Sequence, residues 1–137
     1  MSQVEFSIPG DPCAKGRPRF IRATGQVMTP EKTANYEQLV KLSYLQQVER
    51  DKPLTGPLVA KIYANFAIPK SVSKKRQQRM MSRQEYPQKR PDADNLAKIV
   101  LDALNGIAYA DDKEIVCLEV RKFWAEVPCV DVVLREI

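Results

Sequence analysis

The chain contains no histidine, and that gap removes several kinds of chemistry at once. Triads built on an imidazole base, His-ligated zinc and one-histidine nucleases are all excluded by inventory. Cysteine is scarce too. Cys13, Cys117 and Cys129 are odd in number, widely spaced and form no CxxC pair, so neither a disulfide framework nor a zinc knuckle is predicted; they read as reduced thiols of a cytoplasmic protein. No uncharged apolar run approaches the roughly 20 residues that cross a bilayer. Met1 to Gly10 has neither the basic nor the apolar region of a secretion signal. The expected protein is neither secreted nor membrane-spanning, and any hydrolytic chemistry in it must run on carboxylates, lysines and a hard metal ion.

What is present is ordinary for one compact domain: 137 residues, 44% hydrophobic and 28% charged. A chain of this size buries about two-thirds of its unfolded surface, enough for a core without staples. Charge is uneven along it. Lys70 to Arg90 holds eight basic residues (Lys70, Lys74, Lys75, Arg76, Arg79, Arg83, Lys89, Arg90) against the single acid Glu85, a local charge of +7 in a chain of net +5. The rest is therefore slightly acidic. A second basic cluster, Lys15, Arg17, Arg19 and Arg22, lies in a segment that reads as loop because of Pro9, Gly10, Pro12, Gly16 and Pro18. One such run is often only a solvated face, but two on a slightly acidic chain suit a polyanion, whose counterions are released as its phosphates are neutralised.

Periodicity predicts alternating strands and helices. Gln3 to Ile8 puts Val4, Phe6 and Ile8 on one face, a half-buried strand. Thr29 offers an N-cap before Pro30 at the first helical position, and Tyr36, Leu39, Val40, Tyr44 and Val48 recur at helical spacing to about Arg50. Leu58 to Ile68 is a β-rich run ended by Pro69. Ser71 to Arg83 has good helix formers but few apolar residues, so a weakly anchored, exposed helix or mobile arm is expected. Asp94 is expected to cap a helix of about eleven residues with Leu96, Ile99, Val100, Ala103 and Leu104 on its apolar face and Gly106 as its left-handed stop. Ile115 to Trp124 and Val130 to Ile137 read as strands of a C-terminal hairpin. The fold expected is a single α+β domain over 1–137, a mixed β-sheet packed with two main helices, with a basic arm at about 70–90.

The informative acids are Asp92, Asp94, Asp102, Asp111 and Asp112. Pro91 biases Arg90 toward extended backbone, and if that continues to Asp94 a period of two puts the carboxylates of Asp92 and Asp94 on one side. The helix after them runs for about 16 Å, and the loop at Ile107 to Ala110 can return Asp111 or Asp112 to the pair. Clustered carboxylates without histidine or thiolate form a hard oxygen site, suited to Mg²⁺ or Mn²⁺ and unsuited to zinc. Taken singly, each acid has a plain reading. Asp94 is a cap, Asp111 and Asp112 a turn, and Asp102 four residues after Lys98 a surface ion pair worth a few tenths of a kcal/mol. Their coincidence within 21 residues, directly after the +7 segment, favours chemistry, because bare carboxylates repel phosphates unless a cation bridges them.

Arg90-Pro91-Asp92-Ala93-Asp94-Asn95-Leu96-Ala97-Lys98, then Leu101-Asp102-Ala103-Leu104-Asn105-Gly106, then Tyr109-Ala110-Asp111-Asp112-Lys113-Glu114-Ile115, strongly resembles the RusA family of Holliday-junction resolvases, common in phages and prophages. Pro12-Cys13-Ala14-Lys15-Gly16-Arg17-Pro18-Arg19-Phe20 and Thr29-Pro30 are similar to that family's opening motif, so the resemblance spans nearly the whole chain. It implies a homodimeric, Mg²⁺-dependent endonuclease of DNA recombination and repair that cuts four-way junctions by paired nicks. By position, the family's essential acids fall on Asp92, Asp94 and Asp112 and its lysine on Lys98; Asp111 accompanies them as a metal ligand and Asp102 as support. The residue chemistry agrees: an ion held by those acids activates water, Lys98 offsets charge on the phosphate, and Lys15, Arg17, Arg19, Lys74, Lys75, Arg76, Arg79, Arg83, Lys89 and Arg90 position the backbone. Competing readings are a non-catalytic protein that binds branched DNA, and a nuclease of flaps or forks.

Overall fold

The computed structural model describes residues 2–16, 19–28 and 30–137, and of Arg19 and Met28 the backbone alone. The expected cap at Thr29 and the expected phosphate contacts of Arg17 and the Arg19 side chain lie outside the described residues. Among the described residues six strands and three α-helices make up a single mixed α/β domain: β1 (Gln3–Pro9), β2 (Arg19–Ile21), β3 (Gln26–Met28), α1 (Glu31–Gln47), β4 (Leu58–Ala67), α2 (Lys74–Met81), α3 (Ala93–Ala103), β5 (Ile115–Ala125) and β6 (Cys129–Glu136).

The main sheet has the order β1-β6-β4-β5, with β4 parallel to β5 and the other pairs antiparallel. β4 takes the centre because one of its faces is wholly apolar, Leu58, Ala60, Ile62, Ala64 and Phe66 being buried there, while Lys61, Tyr63, Asn65 and Ala67 on the other face are half-buried. Parallel strands need a long crossover, and the segment between β4 and β5 supplies it, carrying α2, α3 and the acidic loop. The expected C-terminal hairpin is thereby corrected. β5 and β6 are neighbours in sequence, but β4 lies between them, and Glu126 to Pro128 arches over its end, where Ile68 N–H donates to the Ala125 carbonyl. Short spacing predicted pairing; the apolar strand in the middle offered more surface to bury.

α1 lays Tyr36, Val40 and Tyr44 against β1, with the Phe6 and Tyr44 rings edge to face at 5.4 Å. The Gln47 side-chain amide both accepts from Ser7 N–H and donates to Ser7 C=O, satisfying the open edge of β1. Pro30 occupies the cap position instead of the first helical one, and the helix ends at Gln47, short of Arg50. The supposed loop around the first basic cluster holds a small hairpin, β2 with β3, closed by Ile21 C=O accepting from Gly25 N–H, with Gly25 at φ +68°. Its three-residue strands are too short to show a period of two.

α3 buries Leu96, Ala97, Ile99, Val100, Leu101 and Ala103 against α1 and the sheet. It begins one residue after Asp92, which is its cap; Asp94 lies inside its first turn. Gly106, at φ +76°, turns the chain so that its N–H donates to the Tyr109 carbonyl. The buried Tyr109 donates its hydroxyl to Leu101 C=O at 2.7 Å, fastening the returning loop to the helix. No helix among the described residues is long and apolar enough to cross a membrane.

Candidate active site

The acids are distributed along α3 and the loop that returns beside it. Asp92 is extended, at φ −70° and ψ 152°, and its side chain makes no capping bond. That departs from the usual use of a cap aspartate and leaves the carboxylate exposed at the start of the helix. Asp94, also exposed, stands in the first turn, where the helix dipole favours negative charge. The expected extended run through Asp94 is corrected: the backbone turns helical at Ala93 because Leu96, Ala97 and Val100 are drawn into the core, so Asp92 and Asp94 share a helix end and not a strand edge.

Asp94, Lys98 and Asp102 follow at intervals of four, so they run down one side of α3 over about 12 Å. Lys98 Nζ stands 3.8 Å from Asp102 Oδ2. Beyond them the Asp111 side chain accepts from Lys113 N–H at 2.9 Å while the Glu114 side chain accepts from Asp111 N–H, a capping box on the short turn Asp112–Glu114. Asp111 is thus engaged with its own backbone. Asp112 N–H donates to Asn105 Oδ1 at 2.9 Å, and its carboxyl comes within hydrogen-bonding reach of Asp102. Burial, that contact and the charges of Asp111 and Asp102 push the Asp112 carboxyl above its usual range. Burial also acts upward on Asp102, yet bonding to Lys15 and the charges of Lys15 and Lys98 bring it below.

The structure therefore gathers Asp102, Asp111, Asp112 and Lys98 at the C-terminal half of α3, and holds Asp92 and Asp94 at its N-terminal end. Among the described residues no three acids are set as a ready-made metal cage. The residues still fit a hard divalent ion in two respects: every donor is a carboxylate, and Asp112 carries acid repulsion that an added cation relieves. Sequence reasoning missed Glu37 and Asn105. Asn105 sits in a plain turn sequence, and Glu37 is half-buried on α1 beside Tyr36, where a single acid carries no signal of its partner.

The basic residues fall into two groups. Lys74, Lys75, Arg76 and Arg79 are exposed on α2, which is a formed helix: Ser73 caps it by accepting from Arg76 N–H, and Met80 is buried beneath it. Arg76 binds Glu85 at 2.7 Å, with Arg79 at 3.8 Å from the same carboxylate. Arg83 lies 4.1 Å over the Phe123 ring, and Lys89 stands 5.8 Å from those of Phe66 and Trp124, so the segment is strapped across β4 and β5. Arg90 is exposed beside Asp92. Arg90 and Lys32 line an open cleft of about 490 Å³ between the Pro12–Gly16 segment, the start of α1 and Pro91. Lys15 differs from the rest. It is half-buried, with Nζ 2.5 Å from Asp102 and 3.7 Å from Glu37.

The chain is a single mixed α/β domain with acids and a lysine along α3 and a basic segment strapped across β4 and β5. Residues 9–135, nearly the whole chain, match the family model of Endodeoxyribonuclease RusA, and the chain belongs to the RusA endodeoxyribonuclease family. It is also similar to the uncharacterized protein YqaN of Bacillus subtilis (strain 168), 37% identical over 141 residues covering all of this chain and 99% of that protein.

Proposed function

We propose that the chain is a Mg²⁺-dependent, structure-selective endonuclease that resolves four-way DNA junctions by paired symmetric nicks, with Mn²⁺ as a substitute ion. The observation that carries the proposal is the bare Asp92 carboxylate at the start of α3, an aspartate in the cap position that makes no capping bond, in a member of this family. Asp92 and Asp94 at one end of α3 and Asp112, with Asp111 beside it, at the other would hold one or two such ions. What a divalent ion supplies in such a setting is Lewis-acid activation of water and neutralisation of phosphate charge.

The chain's own side chains do the remaining work. Lys98, exposed between Asp94 and Asp102, presents a point cation to a phosphate approaching that side of α3 and offsets the charge that develops on it. Arg90 and Lys32, on the walls of the cleft beside Asp92, receive the backbone of the strand to be cut. Lys74, Lys75, Arg76 and Arg79 on α2 reach a neighbouring duplex arm, with Arg83 and Lys89 behind them. Arg17 and Arg19 extend the same role from the N-terminal segment. These contacts set affinity and orientation, not base sequence. The whole chain acts as one endonuclease domain with the 70–90 segment as its basic arm, and a two-fold homodimer presents one site to each of two opposed strands of a four-way junction.

The test is cleavage and binding by Asp92→Asn and Asp94→Asn. Each variant should bind a four-way junction as the native chain does and cut it not at all. Cutting by either at the native rate overturns the assignment. Sedimentation equilibrium should give twice the chain mass.

A further inference from the structure

We infer that Lys15, whose ammonium bridges Asp102 on α3 and Glu37 on α1, is a positioning residue that holds Asp102 so that Asp112 faces the substrate, and is not a phosphate contact. This rests on the nuclease reading given above. Three features of the molecule carry it. The ammonium is already coordinated by two carboxylates, at 2.5 and 3.7 Å, and the side chain is only 22% exposed. The backbone that delivers it is fixed, because Gly16 N–H donates to Thr33 Oγ1 at 2.8 Å. A Cβ at Gly16 would meet Pro30 Cγ and Thr33 Oγ1 at 2.9 Å, so glycine is what lets the segment dock so closely on α1. And Asp102 is tied to Asp112 through Asn105, whose side chain accepts from Asp112 N–H and whose own N–H donates to the Asp102 carbonyl, so the row runs Glu37, Lys15, Asp102, Asp112.

The chemistry of this row gives each member a different part. Two carboxylates as close as Asp102 and Asp112 do not keep a fixed arrangement without a cation, since like charges repel. Lys98 supplies one from the exposed side, but it is 63% exposed and is the group a phosphate would draw away. Lys15 supplies the other from the protein side. Its charge satisfies Asp102, which therefore stays turned inward as a support, while Asp112 keeps its remaining oxygen positions for the reaction. The N-terminal basic motif is thus divided: Lys15 points into the protein.

The experiment compares Lys15→Met, Lys15→Arg, Asp102→Asn and the Lys15→Met/Asp102→Asn double variant, each checked by thermal melting. Junction affinity without divalent ions is measured across a salt series, and single-turnover cleavage with Mg²⁺. For Lys15→Met the affinity and salt slope should stay native while the cleavage rate falls by about 10- to 100-fold, the usual loss when a group orienting a ligand is removed. The double variant should cut no more slowly than the slower single, and Lys15→Arg should recover most of the rate. A salt slope reduced by about one would mark Lys15 as a phosphate contact and overturn the inference. So would native cleavage by Lys15→Met, or rate losses that multiply in the double variant. A native chain that cuts no DNA at all would overturn the nuclease reading and this inference together, whereas a native chain that cuts beside a Lys15→Met variant that cuts equally well overturns this inference alone.

Discussion

Replacing Met80 by alanine should release the basic helix from the sheet. α2 has eight residues, about 12 Å of helix, too short to persist in water without packing. Of the bonds that hold it, the Arg76 and Glu85 pair is an exposed ion pair screened by solvent, and a weak tether. The Arg83 guanidinium on Phe123 adds about 0.5–1 kcal/mol as an exposed cation–π contact. Met80, at 1% exposure, is the main anchor, and truncation of a buried methionine to alanine costs about 2–5 kcal/mol. If that loss falls on local opening, the open population of α2 rises by about 30- to 5,000-fold. Hydrogen exchange reads this directly as faster exchange of the amides in 74–81, with those of β4 unchanged. Because Lys74, Lys75, Arg76 and Arg79 are presented by this helix, junction binding should weaken and its salt dependence become shallower, each lost phosphate contact removing about 0.9 from the slope. Unchanged exchange would show that Met80 is not the anchor. Faster exchange with a native salt slope would show that α2 does not touch the DNA.

Other predictions follow from the same geometry. Charge reversal on α2, as in Lys74→Glu/Lys75→Glu, should weaken junction binding and flatten its salt slope without lowering the melting temperature; an unchanged slope removes the arm from the interface. Asp112→Asn should raise the melting temperature at neutral pH. The folded state holds the Asp112 carboxyl above its usual range through burial, Asp102 and Asp111, so its ionisation favours unfolding; that penalty is complete above the folded value and vanishes below the unfolded one. The gain should therefore shrink as pH falls through the carboxylate range, and a gain that grows on acidification would contradict the assigned repulsion.

Much of the frame was legible because it depends on local periods. The half-buried alternation of Gln3 to Ile8 and the 3–4 spacing of Leu96, Ile99, Val100 and Ala103 became β1 and α3. The basic stretch showed helix formers with few apolar residues, from which weak anchoring was expected; Met80 is buried while its neighbour Met81 is exposed, a difference that no periodic signal in so short a run distinguishes. Pairing was less legible. Two strands joined by three residues suggest a hairpin, yet β4, with its fully buried apolar face, takes the place between them. In the site, the family motifs singled out the acids, while their arrangement depended on where α3 begins. One residue of helix between Asp92 and Asp94 replaces a strand edge with a helix end. Lys15 could not be paired in advance, because its partners on α1 and α3 meet it only after the whole domain has closed.

The central claim is junction resolution by an acid-based, metal-dependent site. It is tested most directly by cleavage of an end-labelled synthetic four-way junction, beside a linear duplex and a flap, with Mg²⁺ or with EDTA. Paired symmetric nicks on the junction alone, lost in EDTA, are predicted. Tight junction binding without cleavage under any divalent ion, or equal cutting of the flap, would contradict it.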